Sequence, residues 1–128
     1  MSKKILIIDD DVIYRTLLEH TLEELEDEHG VEILTASDGE KGFALIQKER
    51  PQIVFLDIMM PGKNGYEVCR SVREDPNLDN TKVILLTTKG EIVDKVYGMA
   101  CGAFKYINKP FDPDEIMEEA KKLLGIRK

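Results

Sequence analysis

Asp9, Asp10 and Asp11 follow the apolar run Ile5-Leu6-Ile7-Ile8, and Asp57 follows Ile53-Val54-Phe55-Leu56. Thr87 follows Val83-Ile84-Leu85-Leu86, and Lys109 closes Tyr106-Ile107-Asn108 ahead of Pro110. Carboxylates gathered with a hydroxyl and an ammonium suit a divalent cation and a phosphoryl group. Adjacent carboxylates resist joint ionisation unless a cation is present, and hard oxygen donors at an open site favour magnesium. An aspartate can also accept a phosphoryl group covalently. Each residue has a plainer reading by itself. Asp57 can be a helix cap or an exposed loop acid, one of the three neighbouring aspartates can cap a helix, Thr87 can be an ordinary strand-end residue, and Lys109 a surface cation. Three aspartates in a row are more than a cap requires. The Lys109–Pro110 bond can be cis or trans, and sequence leaves the isomer open.

These groups meet only if the four runs are neighbouring strands, since ligands of an open parallel sheet bind outside the carboxyl ends of its strands. The pattern around them supports that. Near-continuous Ile, Val and Leu runs alternate with helical patterns, as in βα units whose sheet is covered on both faces. Strands are expected at 4–8, 31–36, 52–56, 82–87 and 103–107. The first helix places Ile13, Leu17, Leu18, Leu22 and Leu25 on one stripe and stops at Gly30. Ser37-Asp38-Gly39-Glu40 reads as a capping box for a second helix over 38–49, which stops before Pro51. A third helix carries Val68, Cys69 and Val72 and breaks at Asp75-Pro76-Asn77. A fourth, over about 91–101, carries Ile92, Val96 and Met99. The last starts at an Asp112 cap with Pro113 in its first turn and buries Ile116, Ala120, Leu123 and Leu124.

The fold class is α/β, a three-layer αβα arrangement built as (βα)5, in one domain spanning residues 1–128. The net charge of −7 argues against direct nucleic-acid binding. Much of that acidity is solvated helix surface, with Glu19, Glu23, Glu24, Glu26, Asp27 and Glu28 close together. No run reaches the length of a membrane span, and the N-terminus lacks the pattern of a secretory signal. Cys69 and Cys101 stand in no metal spacing and read as reduced, partly buried thiols of a cytoplasmic protein.

The chain resembles the receiver domain of two-component response regulators over essentially its whole length. The resemblance rests on Ile8-Asp9-Asp10-Asp11, on the stretch from Leu56-Asp57 through Met59-Met60-Pro61 to Asn64-Gly65, on Leu86-Thr87-Thr88, and on Gly102-Ala103 followed by Tyr106 and Lys109-Pro110-Phe111. It implies a flavodoxin-like five-stranded parallel sheet of order 2-1-3-4-5. It implies Asp57 as phosphoacceptor, with magnesium held by Asp9, Asp10, Asp57 and the backbone carbonyl of Met59. Thr87 would contact the phosphoryl group, Lys109 would pair with it, and Tyr106 would turn inward as Thr87 moves. The donor would be a histidine kinase or phosphotransfer protein. The output would be a rearranged surface of the fourth helix, fifth strand and last helix, around residues 90–125, read by a partner or effector domain the sequence does not name. No effector domain is expected after the last helix in this chain, which would be either a stand-alone receiver or a piece of a longer regulator. Phosphorylation-dependent dimerisation stays open. Lys89, Lys95, Tyr97 and Lys105 fall near that surface, though ordinary helix charge accounts for most of them.

Four positions depart from the family's usual pattern. Asn64 replaces a common Asp, with little effect expected because both suit turns. Thr88 replaces a small residue and would narrow access to the site or alter the phosphate lifetime. Gly42 replaces Ala at a cost of up to about 1 kcal/mol in a helix interior. The first helix is about one turn longer than usual, which would bear on kinase choice. Other classes fit less well. A haloacid-dehalogenase-type phosphatase needs a second Asp where Met59 stands. A flavodoxin needs a phosphate loop where Asp9, Asp10 and Asp11 would repel the phosphate. A degenerate receiver would not need the intact acidic pair, Thr87 and Lys109.

Overall fold

In the computed structural model, residues 3–60, 62–88 and 101–126 are described. Five parallel strands, β1 (Lys4–Ile8), β2 (Glu32–Ala36), β3 (Ile53–Asp57), β4 (Lys82–Thr88) and β5 (Lys105–Lys109), form one sheet in the order β2-β1-β3-β4-β5. Among the described residues, four α-helices pack on it: α1 (Val12–His29), α2 (Gly39–Glu49), α3 (Gly65–Glu74) and α4 (Pro113–Leu124). The helix expected over 91–101, with Ile92, Val96 and Met99, lies outside the described residues except for Cys101, as do Lys89, Lys95 and Tyr97. No described helix is long and apolar enough to cross a membrane.

Side chains alternate across a strand, so each continuous apolar run feeds two cores. Ile5, Ile7, Phe55 and Leu86 face Leu18, Leu22 and Leu25 of α1 and Ile116 and Ala120 of α4. Leu6, Ile8, Leu56 and Leu85 face Ile46 of α2 and Val68 and Val72 of α3. Cys69 and Cys101 belong to this second core and are fully rather than partly buried. The Cys69 thiol donates to the Cys101 carbonyl at 3.5 Å, and its hydrogen bonding with Cys101, together with burial, pushes its pKa well up.

Several expectations shift. Ile13 and Leu17 are 72% and 42% exposed, so the buried stripe of α1 is Leu18, Leu22 and Leu25. At 3.6 residues per turn, Ile13 and Leu17 lie roughly 100° or more around the helix from Leu18. The N-cap of α2 is Asp38, which accepts from the Lys41 amide at 2.8 Å; Ser37 and Glu40 form no box. The reciprocal box is at α3 instead, where Asn64 accepts from Glu67 N at 3.1 Å and Glu67 accepts from Asn64 N at 3.0 Å. Asn64 therefore serves the turn as well as an aspartate would. The strand expected over 103–107 runs two residues later, because Phe104 N donates to Val83 O at 2.8 Å before the strand pairing starts at Lys105. Leu123 is only partly buried.

Gly42 is a requirement of packing as well as a weak helix former. A Cβ there would lie 2.4 Å from Ile8 Cδ1 and 2.9 Å from Ile8 Cγ1. The bare backbone lets α2 approach β1 directly behind Asp9.

Candidate functional site

The carboxyl ends of β1, β3, β4 and β5 bring the expected residues to one rim. Sheet register sets their heights: Asp57 pairs with Leu86, Thr87 with Asn108, and Thr88 with Lys109. The side chain of Thr88 lies outside the described residues.

The three neighbouring aspartates divide their work. Asp11 caps α1, accepting from Ile13 N at 2.9 Å. Asp9 is fully buried, its carboxylate accepting from Asp11 N at 2.9 Å and its backbone carbonyl accepting from Arg15 Nη1 at 2.8 Å. Asp10 is exposed beside it. One carboxylate oxygen from each of Asp9, Asp10 and Asp57 lies within 4.8 Å of the others.

Lys109 is buried and reaches into this cluster, its Nζ donating to Asp9 Oδ2 at 2.8 Å and to Asp57 Oδ1 at 3.2 Å. The Lys109–Pro110 bond is cis. Burial, then the charges of Asp9 and Asp10, push the Asp57 carboxyl up to about 6, although Lys109 pulls the other way. Burial works against the Lys109 ammonium, but the hydrogen bond it donates to Asp9 and the charges of Asp57 and Asp9 outweigh it and hold its pKa above the ordinary lysine value. Three carboxylates thus cluster around a site where one ammonium pairs with two of them, a surplus of negative charge that a hard divalent cation would relieve.

Thr87 is buried, and its hydroxyl donates to Asn108 Oδ1 at 2.9 Å. Tyr106 is partly buried against the α2–α3 core. By strand alternation Thr87, Tyr106 and Asn108 share that face of the sheet. Met59, two residues beyond Asp57, is 64% exposed.

A family model described as the response regulator receiver domain matches residues 5–121. The chain belongs to the response regulator receiver domain family. Over 124 residues it is 39% identical to the alkaline phosphatase synthesis transcriptional regulatory protein PhoP of Bacillus subtilis, covering 97% of this chain and 49% of that protein. The chain spans about half the length of the curated relatives it matches. The chemotaxis protein CheY4 of Vibrio cholerae superposes with a TM-score of 0.83 at 31% identity, over 96% of this chain and 99% of that one. A beryllofluoride-activated DrrB receiver domain superposes with a TM-score of 0.82 at 32% identity, over 98% of this chain and 99% of that one.

Sequence reasoning missed three residues of this receiver domain's rim: Tyr14, Arg15 and Asn108. Tyr14 and Arg15 read as part of an amphipathic helix, and only the packing of α1 against β1 and α4 brings them to the site. Asn108 adjoins Lys109 in the chain, but its link to Thr87 depends on the pairing of β4 with β5.

Gly65 holds the backbone at Asp57. A Cβ at this position would lie 2.5 Å from the Asp57 carbonyl oxygen and 2.7 Å from Ile58 Cα, while its own N–H donates to Ile58 O at 3.0 Å. Backbone cannot yield as a side-chain tip can. Gly65→Ala is expected to destabilise the receiver by about 1–3 kcal/mol, the range of an overpacked core. Urea unfolding checks this, and a midpoint equal to the parent's would refute it.

Proposed function

We propose that this receiver is a phosphorylation-dependent signalling switch in which Asp57 accepts a phosphoryl group from the phosphohistidine of a histidine kinase or phosphotransfer protein. The observation that carries this reading is the Lys109 ammonium, hydrogen-bonded to both Asp9 and Asp57 where three carboxylates converge. In the transfer, an Asp57 oxygen forms the new bond to phosphorus as the phosphorus–nitrogen bond to the donor imidazole breaks. The leaving nitrogen keeps the bonding electrons, and with the other ring nitrogen protonated the donor departs as neutral imidazole.

Asp9, Asp10, Asp57 and the Met59 carbonyl are the groups that would hold magnesium. Bound there, magnesium would offset charge on the phosphoryl oxygens. Lys109 shifts from the carboxylates toward the phosphoryl group as a point charge. Thr87 exchanges its Asn108 acceptor for a phosphoryl oxygen, and Tyr106, on the same face, follows. The added charge thereby biases a two-state surface that includes β5 and α4, where Lys105 of β5 is paired with Glu119 of α4 at 2.6 Å. An output partner or effector domain, or a second receiver, would read that surface. The chain is one receiver domain working in the cytoplasm as a switch that assists its own phosphorylation and dephosphorylation, with no direct nucleic-acid contact.

Incubation with acetyl phosphate and magnesium, followed by intact mass, tests this reading. One added phosphoryl group is expected, absent from Asp57→Asn and from the magnesium-free sample. No adduct, together with no beryllofluoride-induced change in the NMR spectrum, would overturn it.

A further inference from the structure

Tyr14, in the first turn of α1, belongs to none of the roles above, yet its ring lies against the cation at the centre of the site. Lys109 Nζ stands 4.1 Å from the Tyr14 ring centroid. The molecule's other two described lysine–ring contacts are longer, 4.7 Å for Lys63 over Phe43 and 5.8 Å for Lys82 over Phe104. The Tyr14 ring is steadied in turn by Phe111, with centroids 5.9 Å apart and planes inclined at 51°, and Phe111 is buried in the core between α1 and α4. The ammonium therefore meets Asp9 at 2.8 Å, Asp57 at 3.2 Å and the Tyr14 face.

We propose that Tyr14 is a positioning residue for phosphoryl transfer: its ring face holds the Lys109 ammonium against Asp57 and guides it onto the incoming phosphoryl group. The proposal rests on Asp57 being the acceptor. Lysine carries its charge on a flexible four-carbon stem, so something must restrict where that charge goes. Hydrogen bonds to the carboxylates restrain it but have to loosen as the phosphoryl oxygens arrive. A ring quadrupole attracts the cation over its whole face, without a directional bond that must break. Tyr14 can keep the ammonium lodged while its partners change. The phenol hydroxyl has no part in this, so phenylalanine should serve and leucine should not.

The test uses the full chain as wild type, Tyr14→Phe and Tyr14→Leu. NMR would record the Lys109 ε-methylene signals, and intact mass the rate of phosphorylation by acetyl phosphate with magnesium. A ring lying over the cation shifts the ε-methylene protons upfield. That shift is expected in wild type and Tyr14→Phe and should vanish in Tyr14→Leu. Tyr14→Phe should react within about twofold of wild type, and Tyr14→Leu roughly 3- to 30-fold more slowly, the span of a partly to fully desolvated cation–π contact. A role in packing alone would slow no folded variant selectively and would give Lys109 no ring-current signature. A folded Tyr14→Leu reacting at the wild-type rate would overturn the proposal, as would a wild-type spectrum without the shift. That second result needs no variant, so a Tyr14→Leu chain that fails to fold leaves the proposal open to refutation. Failure of the wild type itself to gain a phosphoryl group would instead overturn the acceptor reading. The Lys109 signals would then still decide whether the ring holds the ammonium.

Discussion

Asp57→Asn is expected to melt higher than the wild type in magnesium-free buffer at pH 7.5, even though it removes the proposed acceptor. The Asp57 carboxyl is raised to about 6 by burial and by Asp9, so the folded state resists its ionisation. As pH rises from about 4 to about 6, the unfolded chain has already released this proton while the folded protein still holds it. Stability therefore falls with rising pH across that window and stays lower above it. A shift of roughly 2 pKa units corresponds to about 3 kcal/mol at most. An isosteric amide should recover about 1–3 kcal/mol of it, or on the order of 5–10 °C in Tm. Two signatures separate this from generic stabilisation. The advantage of Asp57→Asn should shrink toward pH 4, where the wild-type carboxyl is neutral as well. Magnesium should raise the Tm of the wild type more than that of the variant, because a ligand stabilises the state that binds it better. Thermal melts at pH 4, 5, 6 and 7.5, with and without magnesium, check both. An advantage that is constant with pH, or reversed at pH 7.5, would refute the account. Strain of this kind is what a site tuned for function rather than stability should carry.

Lys109→Met should have the opposite effect and a larger one. It leaves Asp9 and Asp57 facing each other, both buried, without the ammonium that now bridges them. Breaking a buried ion pair from one side costs about 3–5 kcal/mol because a charge is left uncompensated. A loss of about 3 kcal/mol at pH 7.5 is expected, easing as pH falls and beginning above the wild-type value of about 6, because without Lys109 the Asp57 carboxyl holds its proton more tightly still. Adding Asp57→Asn should restore part of the loss, so the double variant would be more stable than the sum of the single effects allows. Phosphorylation by acetyl phosphate should slow by about 100-fold or more, the scale of losing one preorganised electrostatic group. Urea unfolding of the four proteins closes the cycle. Strict additivity would show that Lys109 does not act through Asp57.

The site was partly legible from sequence because its principal members end buried strands. A strand covered on both faces must be apolar throughout, so a polar or charged residue closing such a run marks the rim. Asp57, Asp9, Thr87 and Lys109 stood out for that reason, and their joint order carried the resemblance that the family match bears out. Helix stops at Gly30 and Asp75 and the Asp112 cap were also legible, because caps are local chemistry.

The tertiary structure decided what depends on pieces of chain distant in sequence. Asp9, Asp10 and Asp11 are the same residue three times, and only the turn into α1 makes Asp11 the cap and buries Asp9. Ile13 and Leu17 are as apolar as Leu18, but the seating of α1 leaves them in water. Gly42 looks like a weak helix residue until Ile8 is placed against it. Lys109 and Asp9 lie 100 positions apart, and Thr87 finds Asn108 only through the register of two strands. Tyr14 has no chemical signature in its own segment; its contact with Lys109 exists because α1 and β5 pack at the same rim. Sequence by itself therefore determined the strands and the acidic and basic groups at their ends. The three-dimensional packing decided how those groups are partnered, because hydrogen bonds and cation–ring contacts depend on distances that no local pattern encodes.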